Sequence, residues 1–457
     1  MKVVSRFHFF YSLQYIRYAF LLSVVPLIRA LLEFDLAALW VALVQDGFIF
    51  IAVMCFSVLQ WAASGYRYSG KRILIQEGLL FRRQLAISRP MVAALELRQP
   101  LYCRLFGACQ VKIYYKYRKK PVFIWLWYRE ATTMAQQLLP LKRQETVFRA
   151  VGAERLSFSV LSANLVTTGV LVVVSAKRTT ELFGEELNKL ALSNLERVEK
   201  LIEQVLPVGL AWFAALIFVL ASVAFFISFL HTAGFFVCRN NGVIVAKGGL
   251  LTKTERRILA KAVTSCDIRT TPMGRLLRRS SVYLHAGGFS GKDLPLMVYR
   301  KGKEAQLQKL MPEFHITPLQ KASFRGRSLL QFIWLSGSVL LLLLSMTAVS
   351  AWLIPELSSL LSIPCMLVFI SLLVSLEGFF VEDVRRGENR TLELCYTQFL
   401  TRHRVYVFTS QMAFQFSHNP LLDVRKRCNF HLRVPCGLRF RVRCVPIELK
   451  HSLSLIF

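Results

Sequence analysis

The run Lys112-Ile113-Tyr114-Tyr115-Lys116-Tyr117-Arg118-Lys119-Lys120 interleaves cations with aromatic rings. On single-stranded nucleic acid such a mixture stacks bases and holds phosphates. At a bilayer it seats rings among headgroups and draws anionic lipid, at about 1 kcal/mol per basic residue near the surface. Read without a ligand, it is a strand ending in a solvated hairpin tip. Further basic pairs and runs are Arg82-Arg83, Arg256-Arg257, Arg278-Arg279 and Arg425-Lys426-Arg427. The candidate contacts for lipid or a protein partner are Lys112, Tyr114, Tyr115, Lys116, Arg118, Lys119, Lys120, Arg82, Arg83, Arg256 and Arg257. Arg104-Leu105 and Arg275-Leu276 recur before a strand, where an arginine suits bonding to loop carbonyls, with contact to a headgroup or partner as the other reading.

Other reactive groups offer less. The ten cysteines form no C-x-x-C pair and read as reduced thiols. Cys428, Cys436 and Cys444 lie near His418 and His431, at a spacing that matches no standard zinc site. There is no H-E-x-x-H, G-x-S-x-G, G-x-x-x-x-G-K-[ST] or G-x-G-x-x-G. The reading is therefore a non-enzyme with no cofactor and no metal. Arg29 and Asp46 fall within apolar stretches at similar depth, so an intramembrane ion pair across a hairpin is one reading. Snorkelling of each to the interface is the other, and it is also the reading for Glu377.

The elements that must position these residues follow from composition. The chain has 457 residues, is 54% hydrophobic and carries a formal charge of +31. Its mean hydropathy is +0.44. A membrane helix needs about 20 apolar residues. Six stretches approach that: 16–33, 40–62, 156–175, 206–229, 329–352 and 360–381. The N-terminal arm with 63–155, 230–328 and 382–457 holds 52 of the 58 basic residues and 16 of the 27 acidic ones, a positive-inside pattern. It places both termini in the cytosol. The N-terminus reads as a retained first helix and not a cleaved signal. Residues 179–205 read as an external amphipathic helix.

The cytosolic segments repeat. At an offset of 171, Gly78 meets Gly249, Arg82 meets Lys253, Glu96 meets Asp267 and Arg104 meets Arg275; at 320, Leu80 meets Leu400 and Pro100 meets Pro420. The patterning predicts strands over 72–76, 79–87, 92–98, 110–117 and 121–127, with a turn at Glu77-Gly78 and a closing helix over 129–139. The second copy closes with a helix over 301–311. The third has Gln398 in place of the turn glycine and a β-rich end with no clear closing helix.

The motif IQEGLLFRRQLAISRPMVAALELRQPLYCRLFG at 75–107, with its copy VAKGGLLTKTERRILAKAVTSCDIRTTPMGRLL at 245–277, resembles the bacterial membrane-anchored, YdbS-like pleckstrin-homology proteins, here in a three-module arrangement. The resemblance implies a pleckstrin-homology-like roll per module. The expected fold class is thus an α+β membrane protein with about six transmembrane helices in three hairpins, each followed by a cytosolic β-roll capped by a helix. The expected boundaries are 1–62 (arm and first hairpin), 63–155 (first module), 156–229 (second hairpin), 230–328 (second module), 329–381 (third hairpin) and 382–457 (third, divergent module). The expected function is a scaffold on the inner leaflet of a bacterial cell membrane. Its partners would be anionic membrane lipids and a smaller membrane protein of the same family, not nucleic acid. The resemblance also implies a role in envelope protection or antimicrobial-peptide tolerance. A transporter or lipid-handling protein is the alternative.

Overall fold

The computed structural model describes residues 5–13, 36–69, 72–79, 82–116, 120–141, 145–163, 208–240, 242–291, 294–314, 316, 328–353, 355–387, 390–398, 400–417, 427–434 and 438–447. The first unit opens with β1 (Ser5–Arg6), α1 (Phe10–Leu13) and the long apolar α2 (Leu36–Ala63). A meander follows: β2 (Gly65–Ser69), β3 (Arg72–Glu77) and β4 (Arg83–Ser88). A three-residue 3-10 turn, Arg89–Met91, redirects the chain into β5 (Val92–Pro100). Then come α3 (Leu101–Leu105), β6 (Ala108–Tyr115), β7 (Val122–Trp127) and α4 (Tyr128–Leu138). Ala131, Met134, Ala135 and Leu138 form the buried stripe of α4, at the spacing that the sequence predicts.

The second unit repeats this order. It has β8 (Glu145–Arg149), α5 (Ala153–Ser162) and α6 (Val208–His231), then β9 (Phe236–Asn240), β10 (Val243–Gly248) and β11 (Thr252–Leu259). After the turn Ala260–Ala262 come β12 (Val263–Thr270), α7 (Pro272–Leu276), β13 (Arg279–Ala286), β14 (Phe289–Ser290), β15 (Met297–Arg300) and α8 (Glu304–Leu310). The third unit has α9 (Leu330–Leu353), α10 (Pro355–Val381), β16 (Asp383–Arg386), β17 (Thr391–Gln398) and β18 (Thr401–Phe408). The turn Thr409–Gln411 leads to β19 (Ala413–Ser417), β20 (Arg427–Arg433) and β21 (Arg439–Pro446). The three 3-10 turns start at 89, 260 and 409, which reproduces the sequence offsets of 171 and 320.

Turn chemistry explains one divergence. Gly249 between β10 and β11 sits at φ +103, and a Cβ there would come within 2.0 Å of the Thr252 carbonyl oxygen. The third unit lacks that glycine and places Leu400 at φ 61 in the equivalent hairpin.

The units do not close on themselves. Their strands merge into four sheets: β1-β2-β3-β4, β7-β6-β5-β11-β10-β9-β8, β14-β13-β12-β18-β17-β16 with β15 on β13, and β19-β20-β21. β5 of the first unit pairs antiparallel with β11 of the second, and β12 of the second with β18 of the third. Glu96 lies opposite Arg256 and Asp267 opposite Val405. In repeat numbering these are the same two positions, so both junctions share one register.

Each seven-stranded sheet consequently serves two cores. Along β10, Ile244 and Ala246 enter one hydrophobic cluster while Val243 and Val245 enter another. A strand buried on both faces reads as an unbroken apolar run, as Val243-Ile244-Val245-Ala246 does.

These observations correct the expected fold class. The described residues are dominated by four sheets, not by six transmembrane helices in three hairpins. Among the described residues two helical segments, Leu330–Leu353 and Pro364–Val381, are long and apolar enough to cross a membrane, and shorter apolar stretches are Gly47–Ala63 and Val219–His231. The physical reason is that much of the apolar composition fills cores on both faces of shared sheets. The expected first span, most of the third and the amphipathic helix at 179–205 lie outside the described residues. α9 and α10 pack together, and Trp352, Leu335 and Leu341 stand exposed on α9.

Candidate functional site

Each junction carries a cleft, and the two clefts occupy equivalent places in the repeat. The first, about 330 Å³, is lined by Leu97, Gln99, Cys109, Tyr128 and Ala233, facing Lys247 and Lys253–Glu255. The second, about 800 Å³, is lined by Ile268, Thr270, Ser280, Lys301 and Val381, facing Arg402–Arg404. It also holds Arg275, Arg278, Arg279, Tyr299, Glu304, Phe380, Arg385 and Cys395. Phe380 and Val381 are the last residues of α10, so this cleft opens where an apolar helix ends.

The seam beside each cleft is built around a buried carboxylate. Glu96, 6% exposed, faces Arg256 Nε at 3.2 Å and Lys112 Nζ at 3.7 Å, and accepts from the Tyr114 hydroxyl at 3.0 Å. Burial alone would push its carboxyl up; Arg256, Lys112 and Tyr114 outweigh that and hold it below its ordinary value. At the second junction Asp267, 2% exposed, lies 3.2 Å from His403 Nδ1 and 2.7 Å from Arg269 Nε. Burial again pushes the carboxyl up, and His403 and Arg269 bring it below its ordinary value. Arg269 stacks on Tyr283 at 3.9 Å, and His403 on Tyr396 at 4.7 Å.

The recurring arginines do bond loop carbonyls, and the loops belong to the next unit. Arg104 donates to the Leu250 carbonyl at 2.6 Å, and Arg275 donates to that of Leu400. Glu377 does not reach out alone as a snorkelling residue would. It clamps the second junction, 2.7 Å from Arg275 and 2.5 Å from Arg402.

Charge accounting in the second cleft leaves a surplus. Arg275 and Arg402 share Glu377, Arg385 pairs with Asp383 at 2.9 Å, and Arg404 pairs with Glu393 at 2.5 Å. Among the described residues, Arg278, Arg279 and Lys301 have no carboxylate within ion-pair distance. Arg278 has φ 51, a left-handed backbone that costs a non-glycine residue of order 1 kcal/mol. It is held there because its N–H donates to the Arg275 carbonyl (3.1 Å) and its own carbonyl accepts from the Lys301 N–H (2.9 Å). The equivalent residue in the first unit is Gly107, φ +65. Arg279 and Lys301 likewise replace Ala108 and Tyr128. Glu304 is the one carboxylate in the lining and pairs with none of the three. An apolar floor under three cations without an ion-pair partner suits a phosphate carried on an apolar body. Burial pushes the Cys395 thiol up to about 12, with Glu393 adding to it, so this cysteine is a poor nucleophile.

The residues singled out from sequence fall in several places. Lys112, Tyr114, Arg256 and Arg257 belong to the first seam, and Arg257 donates to Leu139 and Gln136. Tyr115 is buried, and its carbonyl accepts from Gly288. Lys116 is half-buried, Lys120 exposed, and Arg82 and Arg83 exposed beside or on β4. Arg118, Lys119 and Arg29 lie outside the described residues; Asp46 is on α2, with its side chain outside them, so the Arg29–Asp46 pair lies there too. Cys428 meets the Val445 carbonyl and His431 meets Ser417. In the sequence Arg278-Arg279 is one basic pair among several. The signal that distinguishes it is the repeat itself, which sets an arginine on a glycine position.

A family model described as a bacterial PH domain matches residues 18–155 and 201–313, more than half of the chain. No curated protein and no solved structure matches it.

Proposed function

Since the chain belongs to the bacterial PH domain family, we propose that it is a non-enzymatic scaffold of the bacterial cell membrane whose second junction cleft receives the phosphate of an anionic phospholipid. The observation that carries this reading is the trio Arg278, Arg279 and Lys301 over an apolar floor at the end of α10. α9 and α10 would anchor the array. They leave unit two and return into β16 with Glu382 alone between, so both flanking sheets lie at one end of the pair. The cytosolic side is the one favoured by the basic surplus. Residues 382–457 lie beyond the family match, and their repeated strands and 3-10 turn support a third domain of the same kind. The finer likeness to YdbS-like proteins, and a part in envelope protection, belong to the same proposal; a deletion strain with unchanged sensitivity to membrane-active peptides would remove the latter.

The test is lipid retention. The full chain is extracted from its native membrane in mild detergent, and co-purifying lipids are quantified by mass spectrometry. Arg278→Ala, Arg279→Ala and Lys301→Ala combined should lower anionic phospholipid per chain several-fold. An unchanged lipid complement in a folded triple variant would sink the reading, and a stoichiometric protein in place of lipid would assign the cleft to a partner.

A further inference from the structure

The two junctions are built from two kinds of strand edge. One is the last meander strand, β11 or β18; the other is the strand after the 3-10 turn, β5 or β12. Each internal junction joins one of each kind in one register. Two such edges are left over. β4 closes one end of the first sheet and β19 one end of the last, with no further strand on either among the described residues. Both are more exposed than their internal counterparts. From Arg83 to Ala86, β4 is exposed at three positions and half-buried at one, whereas β18 is buried from His403 to Val407. No residue of β19 is buried, whereas β5 is buried from Val92 to Leu97.

We infer that β4 of one chain pairs antiparallel with β19 of a second copy, so that the array continues from molecule to molecule. Among the described residues one edge of each kind has no further strand on it, which is the condition for a head-to-tail, heterologous contact. The shared register puts Leu85 opposite Phe416, the positions held by Arg256 and Glu96 at the first junction. Both members of that ion pair are replaced together by apolar residues. Phe416 is half-buried against Phe430, with ring centroids 5.2 Å apart, and offers a ready apolar face. A β19 that lacks the carboxylate is a poor substitute for β5 against the Arg256-Arg257 edge, which disfavours misassembly inside one chain. Unpaired edges of this length invite strand addition.

The experiment uses the full chain in lipid vesicles. Leu85→Cys and Phe416→Cys are made separately on differently tagged copies, co-reconstituted at several chains per vesicle and mildly oxidised. Disulfide-linked dimers carrying both tags are expected, well above the wild-type background of native cysteines. Neither variant alone should dimerise above that background. Absence of the mixed dimer overturns the inference, as does a Leu85→Cys dimer with itself, which would mean a symmetric contact. In a second arm, Leu85→Arg should abolish oligomers seen by mass photometry, and adding Phe416→Glu should restore them by rebuilding the ion pair. Failure of both arms, with the chain monomeric, would leave those edges to another protein.

Discussion

The two internal junctions share strand pairing, register, a buried carboxylate and an arginine that reaches the next unit's turn, yet their clefts differ in chemistry. The first places Gly107, Ala108, Tyr128 and Glu255 where the second places Arg278, Arg279, Lys301 and Arg404. The first is small, and of its two lysines Lys247 pairs with Glu255 at 3.0 Å, which leaves Lys253 as its single surplus cation. The second is larger and keeps cations in surplus. The features that hold units together repeat, and those that could hold a ligand do not. A repeated scaffold thus separates assembly from recognition.

That separation can be broken where the two junctions are alike. Asp267→Ala leaves the half-buried Arg269 without its carboxylate, and Glu96→Ala does the same to the half-buried Arg256. Each should cost about 2–3 kcal/mol, read as a lowered denaturation midpoint of the purified chain, and each should loosen its own junction first. Equal and negligible losses would mean that the seams are held by strand pairing alone.

Acid should act next. Both carboxyls have folded values below their unfolded ones. Their contribution is therefore fully present above the unfolded range, about pH 4, and is lost as pH falls through the folded values. Wild type should lose stability steeply there. Asp267→Asn with Glu96→Gln should lie lower at neutral pH but show a shallower acid limb in unfolding experiments from pH 6 to pH 2.5.

The smallest effect sharpens the contrast. Arg278→Gly relieves a left-handed arginine and should stabilise the chain by about 1 kcal/mol, while lowering anionic lipid retention. Gly107→Arg should destabilise by a similar amount without gaining retention, because Ala108 and Tyr128 add no cations to Lys253 and the cleft is less than half the size of the second. A stabilised Arg278→Gly chain with full retention would detach the strain from the ligand.

Much of the fold within one unit was legible. The strand order, the turn at Gly78, the stripe of α4 and the carbonyl-bonding role of Arg104 and Arg275 all depend on local patterning and short-range periodicity. What lay beyond reach was pairing between units. β5 and β11 are separated by more than 150 residues, and nothing in Arg256-Arg257 marks it as a seam and not as a solvated basic face. Likewise Val243-Ile244-Val245-Ala246 could not announce two cores. The coincidence of Glu96 with Asp267 was visible as an alignment, but its meaning needed the cross-strand partners. The helix count failed because apolar content alone does not say whether a segment faces lipid or a second sheet.

Sharing strands across units has a bearing on descent. A chain that lent no strands to its neighbours could lose or gain a domain at any linker. Here a cut that does not fall at the same point of two repeats strands half a sheet, whereas loss of the 171 residues 101–271 would bring β5 to β18 in the register already used. A change of length that keeps every sheet paired therefore comes in whole repeats, and each repeat brings one seam with it.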